Sequence, residues 1–234
     1  MISLLIMLLN VSEDIKKLDS LYEYRHKNSS YLKTVKNELE KRYKENSELS
    51  DVTWRLAKIY FTYGDNSKSK DKKLYWYNKG KTKAKESMEK FPDVAEGHFW
   101  YAANLGRIGQ VKGVLNSLGL APTIKKEFEK TLNFNPKHTG ALDGLAVFYY
   151  EIPPLIGGSL SKSLNYLNKA IQIDPNYTVA YLDIAKVYIK KKKYNKARYY
   201  LNKVINMKNP THPADYYLED KPEAKRLLKK IENK

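Results

Sequence analysis

The chain has 234 residues, a formal net charge of +17 and no cysteine. Without cysteine it cannot form disulfides, thiolate metal sites or a cysteine nucleophile. The positive charge would suit nucleic acid or anionic lipid as a partner, but lysines are spread along the whole chain and only six arginines occur. Because phosphate and base recognition favours the arginine fork, we do not expect nucleic-acid binding.

The first eleven residues are mostly apolar. Residues 1–9 contain one polar side chain, Ser3, and have the length of a signal-peptide core, although no basic residue precedes them. The stretch is too short to span a bilayer. We predict that residues 1–11 are a signal-like segment of an exported, periplasmic protein with no transmembrane span. The alternative is a cytoplasmic protein whose first helix packs on the rest of the fold.

Residues 12–49 have the pattern of two helices. Ser12 and Ser30 are suitable N-caps, and apolar residues follow each of them at helical spacing. We predict that this segment is a degenerate copy of the repeat that begins at residue 50.

Residues 50–209 contain four copies of one helical pattern, and the copies end near Pro92, Pro136, Pro175 and Pro210. The copy that begins at Thr178 has apolar or small residues where a tetratricopeptide repeat requires them, namely Tyr181, Ile184, Ala185, Tyr188, Ala197, Leu201 and Val204. Such a repeat is a pair of antiparallel helices, and stacked copies share one core. We therefore predict an all-α, tetratricopeptide-type helical-hairpin solenoid of about ten or eleven helices.

The first three copies are longer than the standard 34 residues. We predict inserts at 65–76, 110–121 and 153–160, between the two helices of each copy and on one face of the solenoid. The third insert contains Gly157, Gly158 and Ser159, and the adjacent glycines predict a tight, ordered loop. Residues 210–234 should form a capping helix with lysines on its outer face.

The sequence contains no pattern typical of a catalytic, cofactor or metal site. It has no phosphate-binding glycine loop, no paired histidines at metal-ligand spacing and no nucleophile elbow around Ser159. We expect a protein that is not an enzyme and needs no cofactor.

The candidate binding site is the concave side of the solenoid. The second, fifth, ninth and twelfth residues of each first helix point into this groove. The candidates form an apolar strip with a few charged members, namely Trp54, Lys58, Phe61, Phe99, Asp143, Val147, Tyr150, Leu182, Lys186 and Ile189. A concave apolar surface with a few polar groups is typical of a ligand site. The alternative is that the inserts or the terminal helix fold into the groove and fill it.

Two stretches resemble a known family. Residues 96–107 and the glycine-containing segment 153–160 are similar to the T component of bacterial TRAP-type transporters, and 96–107 also resembles the eukaryotic regulators of microtubule dynamics. The first resemblance implies an exported helical solenoid, in some members lipid-anchored and trimeric, that works beside a solute-binding protein. The chain departs from it in having no cysteine for a lipid anchor.

Two functions remain open from the sequence. The first is a non-catalytic scaffold, or a transporter accessory subunit, whose groove or loops bind a protein partner. The second is a carrier for a small apolar or lipid-like ligand, in which Lys58 or Lys186 would bind a carboxylate.

Overall fold

The computed structural model describes residues 2–234, without the side chains of 2–12 and 114–115. Within this part of the chain the structure contains helices and turns but no β-strand, so the predicted all-α solenoid is confirmed. Every helix among these residues is too short or too polar to cross a bilayer. The helices are α1 (Ile2–Glu23), α2 (Tyr31–Glu45), α3 (Ser50–Asp65), α4 (Lys70–Lys90), α5 (Ala95–Lys112), α6 (Val114–Phe134), α7 (Thr139–Glu151), α8 (Leu160–Ile173), α9 (Thr178–Lys190), α10 (Tyr194–Ile205), α11 (Pro213–Asp215) and α12 (Lys221–Lys230).

Four hairpins, α3/α4, α5/α6, α7/α8 and α9/α10, follow one another along the chain. The first helix of each hairpin carries a fully buried alanine, at Ala57, Ala102, Ala146 and Ala185. A small side chain there allows the two helix backbones to approach closely. Successive hairpins share their apolar faces, as where Leu142 of α7 packs with Leu167 of α8 and Ile184 of α9.

The extra residues of the first two hairpins lengthen the helices and do not form loops. Helix α4 already begins at Lys70, where the Ser69 hydroxyl accepts a hydrogen bond from the Lys72 amide. Helix α5 extends to Lys112 and α6 begins at Val114. The predicted inserts 65–76 and 110–121 are therefore wrong. Pro122 lies inside α6, although proline normally marks a helix start or a break.

The third insert is a true loop. Residues 152–159 connect α7 to α8 through a 3₁₀ turn at Pro154–Ile156. Gly157 has φ 102°, and a Cβ on Gly158 would lie 1.7 Å from the Ile152 carbonyl oxygen. The turn therefore needs both glycines. Other residues rarely adopt the positive φ of Gly157, and a side chain at position 158 would clash with the Ile152 carbonyl oxygen.

The N-terminal segment is one long helix followed by a shorter one. Helix α1 passes through Ser12, so this residue is not the predicted N-cap, whereas α2 does start directly after Ser30. The predicted signal-like segment 1–11 supplies the first turns of α1 from Ile2 onward; Met1 and the side chains up to residue 12 lie outside the described part. Leu18 and Tyr22 of α1 share a core with Leu39 of α2 and Leu56 of α3.

The C-terminal segment caps the last hairpin and then contacts the start of the chain. Helix α11 leads through a π turn, Tyr216–Asp220, into α12, and this α11–α12 run is called the terminal segment below. Ala224 and Leu227 pack on Leu201 of α10. The Tyr216 hydroxyl donates to the Ile205 carbonyl at 3.0 Å. Helix α11 also contacts α1, so the two ends of the solenoid meet.

Candidate functional site

A cleft of about 980 Å³ opens on the concave side of the hairpins. Helices α3, α5, α7 and α9 form one wall, and the π turn and α12 contribute Glu219, Asp220 and Glu223. Ile152 and Pro153 border the end nearest the α7/α8 loop. The terminal segment thus occupies part of the expected groove, as the alternative interpretation held, but leaves this cleft open.

The structure brings most of the predicted groove residues together. The cleft is bordered by Phe61, Phe99, Asp143, Val147, Tyr150, Leu182 and Lys186. Phe148, Ile124 and Phe128 extend the apolar lining. The predicted groove residues share the cleft because the first helices of successive hairpins present the same face. Their role in binding stays a prediction.

The other predicted residues lie elsewhere. The Lys58 ammonium lies 3.9 Å from the centre of the Tyr22 ring and 3.3 Å from Glu23 Oε1, so α1 covers it. Trp54 is covered by the Arg55 guanidinium, 4.1 Å from its ring. Ile189 packs with the core of α9, α10 and α12. The loop residues Gly157, Gly158 and Ser159 are not part of the cleft lining.

The cleft is acidic although the chain is strongly basic. Six carboxylates border it, and the basic side chains that border it are Arg107 and Lys186. Lys186 donates to Asp183 at 2.7 Å, so its charge is already compensated. The carboxylates are Asp143, Glu151, Asp183, Glu219, Asp220 and Glu223.

Burial, with repulsion from neighbouring carboxylates, raises the pKa values of three cleft carboxyls. Burial, with a further contribution from Asp183, raises the pKa of Asp143 well above its ordinary value, and its Oδ1 has no hydrogen-bond partner among the described residues. Burial raises the pKa of Asp220 to about 7, although Thr178 donates to it at 2.6 Å. Burial and the neighbouring Asp215 also raise the pKa of Glu219. A positively charged ligand would relieve this repulsion.

A buried hydroxyl on the same cleft lacks a partner. Ser163 of α8 borders the cleft and is 1% exposed, and its Oγ makes no hydrogen bond to any described residue. Leaving a buried polar atom unpaired costs free energy, and a ligand that reaches it would recover that cost.

Contacts between the two ends of the chain hold the terminal segment against the hairpins. Arg25, at the end of α1, is 6% exposed and bonds both the Tyr22 carbonyl and the Asp215 carboxylate. Next to it, Glu23 Oε2 lies 3.1 Å from His212 Nδ1. We call these contacts the end clamp. No local sequence pattern indicates its contacts with Asp215 and His212, because these residues lie about 190 positions from their partners.

The Glu23–His212 pair of the end clamp should make stability depend on pH. Burial alone would raise the pKa of Glu23, but His212 and Lys58 hold it below its ordinary 4.5. Burial alone would lower the pKa of His212, but Glu23 raises it above its ordinary 6.5. The contribution of the carboxylate is lost as pH falls through the lowered pKa of Glu23. The contribution of the imidazolium is lost as pH rises through the raised pKa of His212. The pair therefore stabilises the fold most between about pH 4.5 and 6.5.

We expect this contribution to be at most about 1 kcal/mol, because His212 is 37% exposed and solvent screens the pair. Urea unfolding of the wild type and of His212→Gln from pH 5 to 9 checks it. The difference between the two proteins should shrink as pH rises, whereas the raised-pKa carboxyls of the cleft affect both proteins alike. A difference in unfolding free energy that is constant with pH would show that the Glu23–His212 pair does not cause the pH dependence.

Comparisons with known proteins agree with the helical solenoid. The sequence pattern of the family described as "Regulator of microtubule dynamics protein 1-3" matches residues 14–156 and 145–232. Regulator of microtubule dynamics protein 1 from Bos taurus is 28% identical over 96% of this chain and 73% of its own length. The Pongo abelii protein is 30% identical over 82% of this chain and 65% of its own length, and the Homo sapiens protein 29% over 77% and 62%.

Two solved structures share the fold. A thermophilic tetratricopeptide protein of Thermus thermophilus superposes with a TM-score of 0.66 at 13% identity, over 89% of this chain and 99% of that one. The Pseudomonas aeruginosa protein pilF gives 0.54 at 12% identity, over 94% and 92%. At this identity the likeness concerns the fold alone.

These findings correct two predictions. The family match supports the resemblance to the regulators of microtubule dynamics, and not the one to the bacterial transporter component. The predicted periplasmic location is wrong, because the family and these relatives are eukaryotic regulators and not exported bacterial proteins. The expected solute-binding protein partner and trimer lose their support with it.

Proposed function

Because the chain belongs to the regulator of microtubule dynamics protein 1-3 family, we propose that it is a non-catalytic scaffold that serves the regulation of microtubule dynamics by binding a protein partner. The partner segment lies in the cleft. The observation that carries this proposal is the acidic lining of the cleft in a chain of net charge +17.

The chemistry of the cleft favours a segment that carries both basic and apolar side chains. Phe61, Phe99 and Val147 offer an apolar surface for large side chains. Asp143 and Asp220 offer carboxylates whose charge is incompletely balanced, so a lysine or arginine of the partner would be attracted and an acidic segment repelled. Ser163 Oγ could accept a hydrogen bond from the same segment.

The alternative of a carrier for a lipid-like carboxylate has less support. Its two candidate anchors, Lys58 and Lys186, are paired with Glu23 and Asp183. A ligand carboxylate would also meet the surrounding carboxylates, which disfavours an anion in this cleft.

The cleft can be tested with two labelled peptides, one that alternates leucine with lysine and one that alternates leucine with glutamate. We expect the lysine peptide alone to bind. Asp143→Asn with Asp220→Asn should weaken it at least about tenfold, because a single close charge pair is already worth about 1.5 kcal/mol or more. The fold should survive, since asparagine keeps the size of each side chain and can still accept the hydrogen bond that Thr178 donates at position 220. Asp51→Asn with Asp14→Asn, both exposed, is the charge-matched control. Equal weakening in the control would rule out a cleft site.

Co-sedimentation with microtubules assembled from purified tubulin tests the cellular role. Binding that falls in the cleft variant and persists in the control supports both parts of the proposal. Binding that is equal in all three proteins assigns the microtubule role to another surface, and no binding overturns a direct role.

A further inference from the structure

The turns that join the two helices of each hairpin lie along one edge of the molecule. At the ends of α3 and α5, Arg107 Nε lies 3.2 Å from Asp65 Oδ1. At the ends of α7 and α9, the Lys190 ammonium donates to the Tyr150 carbonyl at 2.7 Å. Gln110, Gly113 and Ile152 border the same cleft, which links the two middle turns. We call residues 66–73, 110–113, 152–162 and 190–193 the hairpin edge.

Two aliphatic side chains project from the hairpin edge into solvent. Leu155 is 99% exposed and its neighbour Ile156 is 58% exposed. A lone exposed leucine is common, but these two stand together on an ordered turn. The Gly158 amide donates to the Pro153 carbonyl at 3.1 Å and the Ser159 amide to the Tyr149 carbonyl at 2.9 Å. The turn is therefore already ordered with both side chains directed outward, so binding a partner would cost little conformational entropy.

Exposed lysines flank these side chains on the hairpin edge. None of them forms an ion pair with a carboxylate of the described residues. They are Lys68, Lys70, Lys72, Lys112, Lys162, Lys190, Lys191, Lys192 and Lys193. At the opposite edge the turns combine Lys137 and Lys208 with Asp93 and Asp174. Since Asp71 is the one acidic residue within the ranges of the hairpin edge, the positive charge is concentrated on the edge that carries the aliphatic pair.

We propose that the hairpin edge docks on an anionic lipid bilayer, with Leu155 and Ile156 inserted below the headgroups and the lysines placed at the headgroup level. Unpaired lysines alone would suit any acidic surface. The aliphatic pair favours a bilayer, because it gains free energy only where apolar chains surround it. The proposal is independent of the cleft site, because neither the aliphatic pair nor the lysines of the hairpin edge border the cleft.

Sedimentation with vesicles tests this docking. We compare vesicles of phosphatidylcholine alone with vesicles that are an equimolar mixture of phosphatidylcholine and phosphatidylserine. The full chain should bind the mixed vesicles and bind phosphatidylcholine weakly, and added salt should weaken the binding. Leu155→Asp with Ile156→Asp should reduce partitioning at least about tenfold, because the burial of both side chains is lost. The fold should be unaffected, since neither side chain packs in the core.

Charge variants test whether binding depends on the hairpin edge or only on the net positive charge of the chain. Lys191→Glu with Lys193→Glu should reduce partitioning more than tenfold, because each lysine near an anionic surface contributes about fivefold. The matched control, Lys137→Glu with Lys208→Glu, changes net charge equally at the opposite edge and should have a much smaller effect. Equal losses in the two variants would overturn the docking geometry.

A fluorescent reporter tests insertion directly. In Leu155→Trp the added emission should shift to shorter wavelength with mixed vesicles, since the indole would leave water. An unshifted emission overturns insertion. Binding to polyglutamate as strong as to mixed vesicles, and insensitive to Leu155→Asp, would assign the edge to an acidic protein and overturn the lipid proposal.

Discussion

Replacing Gly144 by alanine should lower the free energy of unfolding by about 1–3 kcal/mol. Gly144 lies in α7, where an added Cβ would be 2.4 Å from Cζ of Phe128 in α6. Phe128 is buried in the core of these hairpins and packs on the Phe99 ring, so it has little room to move. The same displacement should disturb the cleft, because Phe99 and Phe128 both border it. Urea unfolding measures the loss.

The matched control is Gly106→Ala in α5, which also borders the cleft. An added Cβ there meets no atom within 4 Å. Because alanine is the better helix former, this change should leave stability unchanged or raise it by up to about 1 kcal/mol. If both variants lose the same amount, Gly144 is not required for the close approach of Phe128.

The fold was predictable because its signals are local and repeated. The apolar spacing and the alanine at each helix crossing predict a hairpin without knowledge of the neighbours, as Ala146 and Ala185 illustrate. Helix lengths were harder to predict. The penalty of Pro122 is local, but packing along the whole of α6 outweighs it, so the helix continues where the sequence suggested a loop.

The site was predictable only where the repeat fixes side-chain direction. Phe61, Phe99 and Leu182 reach the cleft because they occupy the fifth or twelfth position of a first helix, and these positions lie on the same face. The carboxylates of Glu219 and Asp220 were missed, because the path of the terminal segment depends on contacts with α1 that no local pattern encodes.

Removing the buried guanidinium of the end clamp should have a large effect on stability. Arg25→Met should cost about 2–3 kcal/mol, because breaking one partner of a buried pair typically costs 3–5 kcal/mol and the Asp215 side chain is 38% exposed. Asp215→Asn should cost a similar amount, since it leaves the Arg25 charge uncompensated in a site of low exposure. Arg226→Met, which breaks an exposed pair with Glu223, should have no measurable effect.

The double variant distinguishes a true clamp from two unrelated losses. If Arg25 and Asp215 stabilise the fold through each other, the loss in Arg25→Met with Asp215→Asn should be smaller than the sum of the single losses, because the second change removes an already broken contact. The terminal segment supplies Asp220 and Glu223 to the cleft, so a loosened clamp should also weaken the lysine peptide. Additive losses, or weakened binding with unchanged stability, would show that the two ends of the solenoid are not coupled through this pair.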